Sequence, residues 1–512
     1  MTAAAAVLPG VVQNRGMITA SVMLATLMQS LDTTIANVAL PYIQGSVSAT
    51  SDQITWVLTS YIVAAAIMTP LTGWLEARLG RRRLFLTAVT GFVAASMLCG
   101  AATTLPQIVG FRLLQGVFGA PLVPLSQSVL LGNYPPEGRG RAMAIFGIGV
   151  MIGPIIGPAL GGYLTDAYSW RWVFYVNLPF GILAFLGLLT FLPPDDPDRA
   201  TPGLDWFGFA ALSLGVASLQ LFMDRGQQLD WFASREIAWE LALCCLGFYA
   251  FAVRTVTAEN PFVPPRLFTD RNFVVGLVLI FIVGAVLLAT LSLLSAYLET
   301  LMGFPVMTAG LVLAPRGIGT MAAMALVGRL VGVVDTRILV SIGLGFTGYA
   351  LLDMTAFTPS ISQGAIIWTG LIQGLGLGFV FVPLSTVAFD TLRPEDRTQG
   401  TALFSLLRNL GSSIGLSAIT VYLTDATVLA HARLVEHLSP YSRAVQDYAP
   451  LLRLDTLAGR ARVGAETTAQ AAAIAYTDAF YLMMLMCFAA IPLTLLFRVR
   501  RGRGGGAVAG MD

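Results

Sequence analysis

The chain has 512 residues, of which 56% are hydrophobic and only 11% charged, where an ordinary soluble domain carries roughly 25% charged residues. That balance excludes a single water-soluble globule. The formal net charge of +2, with arginine as the only basic residue besides two histidines, gives no footprint for nucleic acid, so the placement of charge along the chain matters more than its sum.

Residues 1–16 carry one arginine before an apolar run too long for a signal-peptide core and without a convincing cleavage site, so the first span is expected to stay attached. From there, apolar runs bounded by charge, Gly and Pro predict spans near 17–39, 54–75, 84–103, 106–131, 141–163, 172–192, 205–222, 236–253, 273–298, 307–328, 338–356, 363–389, 400–424 and 477–497. Each is about long enough to cross a hydrocarbon core roughly 30 Å thick. With the N-terminus in the cytoplasm, the short loops and tails on that side hold 19 arginines, and the short loops opposite hold Arg171, Arg225 and Arg235. The asymmetry predicts both termini in the cytoplasm. The eight tryptophans fall near span ends, as amphipathic rings at an interface do. All four cysteines lie in apolar spans and read as small packing residues.

LLQG at 113–116, VPLS at 123–126 and PPEGR at 135–139 recur as LIQG at 371–374, VPLS at 382–385 and RPEDR at 393–397, an offset of about 258 residues. Both copies cover an outside-to-inside span and its cytoplasmic turn, so the halves are parallel repeats. The arithmetic leaves two extra spans between them. The expected plan is an all-α membrane protein: an N-terminal six-helix bundle over 1–192, an extra pair over 193–258 expected at the periphery, and a C-terminal six-helix bundle over 259–512. Residues 425–476 are expected to form a long extracytoplasmic loop with some helical structure, because VLAHARLVEHL has helical periodicity. His431 and His437 lie there, and no metal site is expected from them.

Several residues stand out against the apolar background. Asp32 puts a carboxylate inside a span, where ionisable groups cost at least a few kcal/mol and usually face a cavity or a partner. Arg112 puts a guanidinium in another. Counted at 1.5 Å per residue, Asp32 lies about 12 Å and Arg112 about 9 Å below the outer span ends, so the two can share a layer. A permanent structural brace is the alternative to a proton-handling pair. Arg316 and Arg408 also lie in spans, and either brace packing or attract an anionic substrate. Asn37, Gln115 and Gln373 complete the candidates for substrate contact or cavity lining, and Asp353, near an outer end, reads as solvated. GVMIGPIIGPALGG places Gly149, Gly153, Gly157 and Gly161 four apart, with Gly162 beside them, so that another helix can approach closely. Pro154 and Pro158 bend or stiffen that helix. GWLEARLGRRR at 73–83 supplies Gly73, Arg78, Gly80, Arg81 and Arg82 to a cytoplasmic turn.

Together these resemble the loop, helix-four and antiporter motifs of the major facilitator superfamily, and within it the fourteen-helix drug:proton antiporter branch. NYPPEGR at 133–139 and LFMDRGQQLDWFAS at 221–234 are similar to signatures of EmrB-type multidrug exporters. The resemblance implies two six-helix bundles around a central cavity and export of hydrophobic drugs and toxic organic compounds by proton antiport, with Asp32 and Arg112 in proton coupling. It further implies no cofactor beyond the proton gradient, a glycine stripe that seals the two halves, and a bacterial inner-membrane location. The partners implied are a periplasmic EmrA-type membrane-fusion adaptor and an outer-membrane channel. The motif departs from the family at Ala77, where an acid is usual; Glu76 stands one residue earlier, so the resemblance supplies no charge latch at that loop. A channel, which needs a symmetric polar filter, and a membrane enzyme, which needs a clustered nucleophile, metal or phosphate motif, both lack their sequence signals. The runner-up is an exporter of one endogenous lipid-like or organic-acid metabolite.

Overall fold

The computed structural model describes residues 14–195, 203–438 and 456–498; the first residues, the RVRRGR tail from 499 onward and the middle of the expected loop lie outside them. Among the described residues the chain is helical, with one isolated bridge between Val331 and Val334 as its only β pairing. Twelve helices among the described residues are long and apolar enough to cross a membrane, or up to thirteen if one bent pair counts as a span. The two expected spans missing from the twelve are the first and the second, and each has a physical reason. The Arg15–Val47 helix has 33 residues but is diluted by Gln29, Ser30, Asp32, Thr33, Thr34 and Asn37. The second is the bent pair, Trp56–Met68 and Thr72–Leu79, meeting at 60° across Pro70, which has no N–H to give the helix.

The chain divides into two compact units, the described residues of Met1–Leu204 with Pro394–Ala402, and of Asp205–Arg393 with Leu403–Asp512. In the first unit the Arg15–Val47 helix is the axis. One side of it takes the glycine stripe of the continuous helix Arg139–Ala167, which runs through both prolines. A Cβ added at Gly149 would strike the Met23 side chain, at Gly153 the Ser30 backbone, at Gly157 the Thr34 side chain, and at Gly161 Ile35. Ser30 Oγ and Thr34 Oγ1 then donate to Val150 O and Gly153 O at 2.7 and 3.1 Å, stitching the contact. The four glycines expected to seal the two halves therefore pack within one unit, against its own first helix, while Gly162 meets nothing within 4 Å.

In the second unit the extra helix Trp206–Arg225, packed on its partner Arg235–Thr257, and the turn after it meet the helix that begins at Arg397: Ser413 Oγ donates to Gln220 at 3.0 Å and Gln227 donates to Thr424 at 3.1 Å. Trp206 is exposed. A core of Leu293, Tyr297, Leu351, Phe357, Phe480 and Met483 holds the unit's far end together.

The helical structure expected within 425–476 is present at both of its ends, as extensions of the flanking helices. Residues up to Glu436 continue the 40-residue helix Arg397–Glu436, and those from Leu457 open the 34-residue helix Leu457–Ala490. At 1.5 Å per residue the first is about 60 Å long, roughly twice the hydrocarbon thickness. Hydropathy falls where a helix leaves the apolar layer, but its backbone hydrogen bonds carry on. Asp353 is also less solvated than expected, because its Oδ2 accepts from the buried Thr369 hydroxyl at 2.6 Å.

Candidate functional site

Asp32 is 1% exposed on the face of the first helix turned away from the glycine stripe, since Ser30 on the stripe side lies two residues and about 200° earlier. Its Oδ2 accepts from Arg112 Nη1 at 2.7 Å, and its Oδ1 from Gln115 Nε2 at 2.8 Å and Asn177 Nδ2 at 2.7 Å. Arg112, equally buried, also donates through Nη1 to Gln115 Oε1 at 2.8 Å and through Nε to Val57 O at 3.1 Å. Its guanidinium lies 4.3 Å from the centre of the Tyr61 ring and 5.8 Å from that of Phe174. Asn177 donates on to Ser96 Oγ at 2.9 Å, which donates to Phe174 O at 2.9 Å.

Removing one charge from a buried pair strands the other at about 3–5 kcal/mol, so neither Asp32 nor Arg112 is dispensable to the cluster. One atom is out of balance: Asn177 Oδ1 is buried and accepts no hydrogen bond. A carboxyl that gains a proton becomes a donor and needs an acceptor. Half a turn of the Asn177 amide presents Oδ1 to it. The cluster thus contains a donor set for the ionised acid and an acceptor in reserve for the neutral one.

The expected pairing of Asp32 with Arg112 is present. Gln115, expected to line a cavity, is instead fully buried as a partner of both. Asn37 stays out of the cluster: it is exposed and donates to Thr33 O of its own helix at 3.3 Å. Arg316 and Gln373 are buried in the second unit, and Arg408 is half-buried there. Asn177, Ser96 and Tyr61 went unrecognised in the sequence, because neutral polar residues are common in spans and nothing in their spacing marks them.

At the cytoplasmic turn, the missing acid at Ala77 is replaced by its neighbour. Glu76, 5% exposed in its side chain, accepts from Arg81 Nε at 2.6 Å. Arg78 lies over the Trp74 ring at 5.2 Å, and Gly73 packs against Gln399. Gly80, at φ 90°, separates Thr72–Leu79 from the helix Arg81–Ala101. Asp195 accepts from the backbone N–H of Arg82 at 2.9 Å and of Arg83 at 3.0 Å, satisfying two donors at that helix start. Arg82 itself donates to Leu189 O.

A bundle of long apolar helices with an acid and a guanidinium locked together at depth has the build of a membrane transporter. The chain belongs to the Major Facilitator Superfamily, whose family model matches residues 22–416. It is 36% identical to the multidrug export protein EmrB of Escherichia coli (strain K12) over 95% of this chain and 96% of that one. It is 35% identical to the fatty acid resistance protein FarB of Neisseria gonorrhoeae, over 96% and 97% respectively. Among solved structures, the human organic anion transporter MFSD10 shares the fold, with a TM-score of 0.60 at 18% identity, covering 92% of this chain and 99% of that chain. The protein is accordingly a multi-pass membrane transporter related to multidrug exporters, and not an enzyme.

Proposed function

We propose that the protein is a proton-coupled antiporter that exports hydrophobic drugs and toxic organic compounds by alternating access, with Asp32 as proton carrier and Arg112 as its regulator. The observation that carries this reading is the sealed cluster in which the buried Asp32 carboxylate is paired with the equally buried Arg112 at 2.7 Å. A proton arriving from outside neutralises Asp32, the Asn177 amide turns to accept from it, and Arg112 is freed from its partner. Release of the proton to the cytoplasm restores the pair as the next substrate binds. The energy source is the proton gradient, with no cofactor. The test uses purified protein in vesicles, comparing Asp32→Asn with wild type for proton-driven drug movement and for drug binding at several pH values. Loss of coupled movement with folding and binding retained is expected. Normal coupled transport by a normally folded mutant removes Asp32 as carrier, and lost folding at unchanged specific activity favours a structural brace.

The same reading takes the chain as a six-plus-two-plus-six arrangement of fourteen spans in a bacterial inner membrane, with both termini cytoplasmic. The extended ends of Arg397–Glu436 and Leu457–Ala490 serve as the docking element for a periplasmic EmrA-type adaptor that leads to an outer-membrane channel. Val428 and Leu429, both more than half exposed on the first of these helices, support that role. Export of one lipid-like or organic-acid metabolite remains the second reading, favoured by the similarity to a fatty acid resistance protein.

A further inference from the structure

Within the second unit, the helix containing Val306–Leu330 crosses the helix Gln363–Asp390 at Arg316. A Cβ added at Gly374 would come within 2.0 Å of the Arg316 carbonyl, and one at Gly370 within 3.7 Å of the Arg316 Cβ. Gln373 sits between these two glycines. Arg316 and Gln373 are each ten residues into their helices, about 15 Å below the helix starts and so at one depth.

Both are chemically incomplete. Gln373 is fully buried, yet neither its Nε2 nor its Oε1 has a hydrogen-bond partner. Arg316 is 5% exposed; its Nη2 reaches only Leu287 O, at 3.3 Å, and its Nη1 reaches nothing. Among the described residues no carboxylate pairs with it. A guanidinium in a span without a counter-charge is costly, and buried polar groups with no partner at all are rare.

The internal repeat shows what is missing. The offset that relates Gln115 to Gln373 carries Asp32 onto Thr290, whose hydroxyl is turned back to Val286 O at 2.6 Å. In the first unit the amide is saturated by Asp32 and Arg112. In the second, the amide is kept and a guanidinium arrives from another helix, but the acid is absent. We propose that Arg316 and Gln373 form a head-group site for a single-chain amphipathic carboxylate, the ligand supplying the carboxylate that the chain itself provides in its first half. Arg316 binds one carboxylate oxygen through Nη1, Gln373 Nε2 donates to the carboxylate, and the apolar tail lies among the surrounding helices. This deepens the export reading by giving one class of substrate a place to bind, and it rests on that reading only for what happens after binding.

The test is equilibrium binding of radiolabelled dodecanoate to the full chain in nanodiscs of zwitterionic lipid, with dodecanol as competitor. Wild type is expected to hold the acid with dodecanol at tenfold excess failing to displace it. Arg316→Gln should weaken acid binding about tenfold or more, as loss of a charge-assisted bond predicts, and Gln373→Leu should weaken it by a smaller factor. Arg316→Lys, which keeps the charge, should restore part of the affinity; if Arg316→Gln does not fold, this variant and Gln373→Leu decide the matter. Equal competition by acid and alcohol overturns the proposal, as does unchanged acid affinity in the folded variants. Displacement of dodecanoate by added phosphatidylglycerol also overturns it, making the site one for membrane lipid. Proton-driven movement of a lipophilic cation by wild type is measured separately. Its failure alongside Arg316-dependent acid binding would sink the export reading and leave the site standing.

Discussion

Replacing Gly153 with alanine should disable the acid cluster from the far side of the first helix. The new methyl would lie 2.6 Å from the Ser30 carbonyl carbon and 2.7 Å from its oxygen, both backbone atoms that no rotamer change can move. Restoring ordinary contact requires the first helix to retreat by about 0.8 Å. Asp32 projects from the opposite face, so the retreat drives it into Arg112, Gln115 and Asn177, whose bonds to it are already 2.7–2.8 Å long. The helix is squeezed between two surfaces that do not yield, and overpacking of this kind costs about 1–3 kcal/mol. Gly149→Ala meets only the terminal methyl of Met23, which can swing away, and Gly162→Ala meets nothing. Thermal melting by intrinsic fluorescence, read beside proton-driven efflux of a fluorescent lipophilic cation from vesicles, should rank Gly153→Ala as worst, Gly149→Ala as mild and Gly162→Ala as silent. Wild-type melting and efflux in Gly153→Ala, or equal damage from Gly162→Ala, would refute the reasoning.

Other perturbations have sharp outcomes. Gln115→Leu removes one donor from Asp32 and one acceptor from Arg112, and should lower stability by about 1–3 kcal/mol, measurable by melting in detergent, with efflux reduced. Asn177→Leu removes one donor from Asp32 and the donor to Ser96, and should lower stability by about 1–3 kcal/mol; unchanged melting would deny Asn177 its place against the acid. At the cytoplasmic turn the two halves of one ion pair should be unequal, because Arg81→Ala strands a buried Glu76 whereas Glu76→Ala leaves a part-exposed Arg81 in reach of water. Melting should fall further for Arg81→Ala. Asp195→Ala removes the acceptor of two backbone donors and should cost about 0.5–2 kcal/mol, as lost helix caps do, read in the same melting assay.

The pairing of Asp32 with Arg112 was legible because each is a charge in an apolar run, and counting along the helices puts them at one depth. Gln115 was visible through the repeat, but its role was not: only the fold shows that its amide bridges acid and arginine. Asn177 comes from 145 residues beyond Asp32, and no local pattern encodes such a distance. The glycine spacing announced close packing correctly, yet spacing does not name the partner, which is the first helix of the same unit. The helical period of VLAHARLVEHL made structure within 425–476 legible, but hydropathy, which measures solvent preference and not backbone hydrogen bonding, did not show that the helices on either side run on into it. Arg316 and Gln373 were individually conspicuous in the sequence. Their shared lack of partners appears only in three dimensions.

Gly80 and Asp195 also bear on how the protein can change over time. Any side chain at 80 would thrust its Cβ to 2.2 Å from the Asp195 carboxyl carbon and would have to hold φ at 90°, a conformation that residues other than glycine rarely adopt. A mutation at 80 therefore evicts the carboxylate that satisfies the start of Arg81–Ala101, while a mutation at 195 removes the steric reason for glycine but leaves the backbone one. The two positions should be inherited unequally: lineages that lose Asp195 are free to keep Gly80, whereas lineages that lose Gly80 should already have lost Asp195.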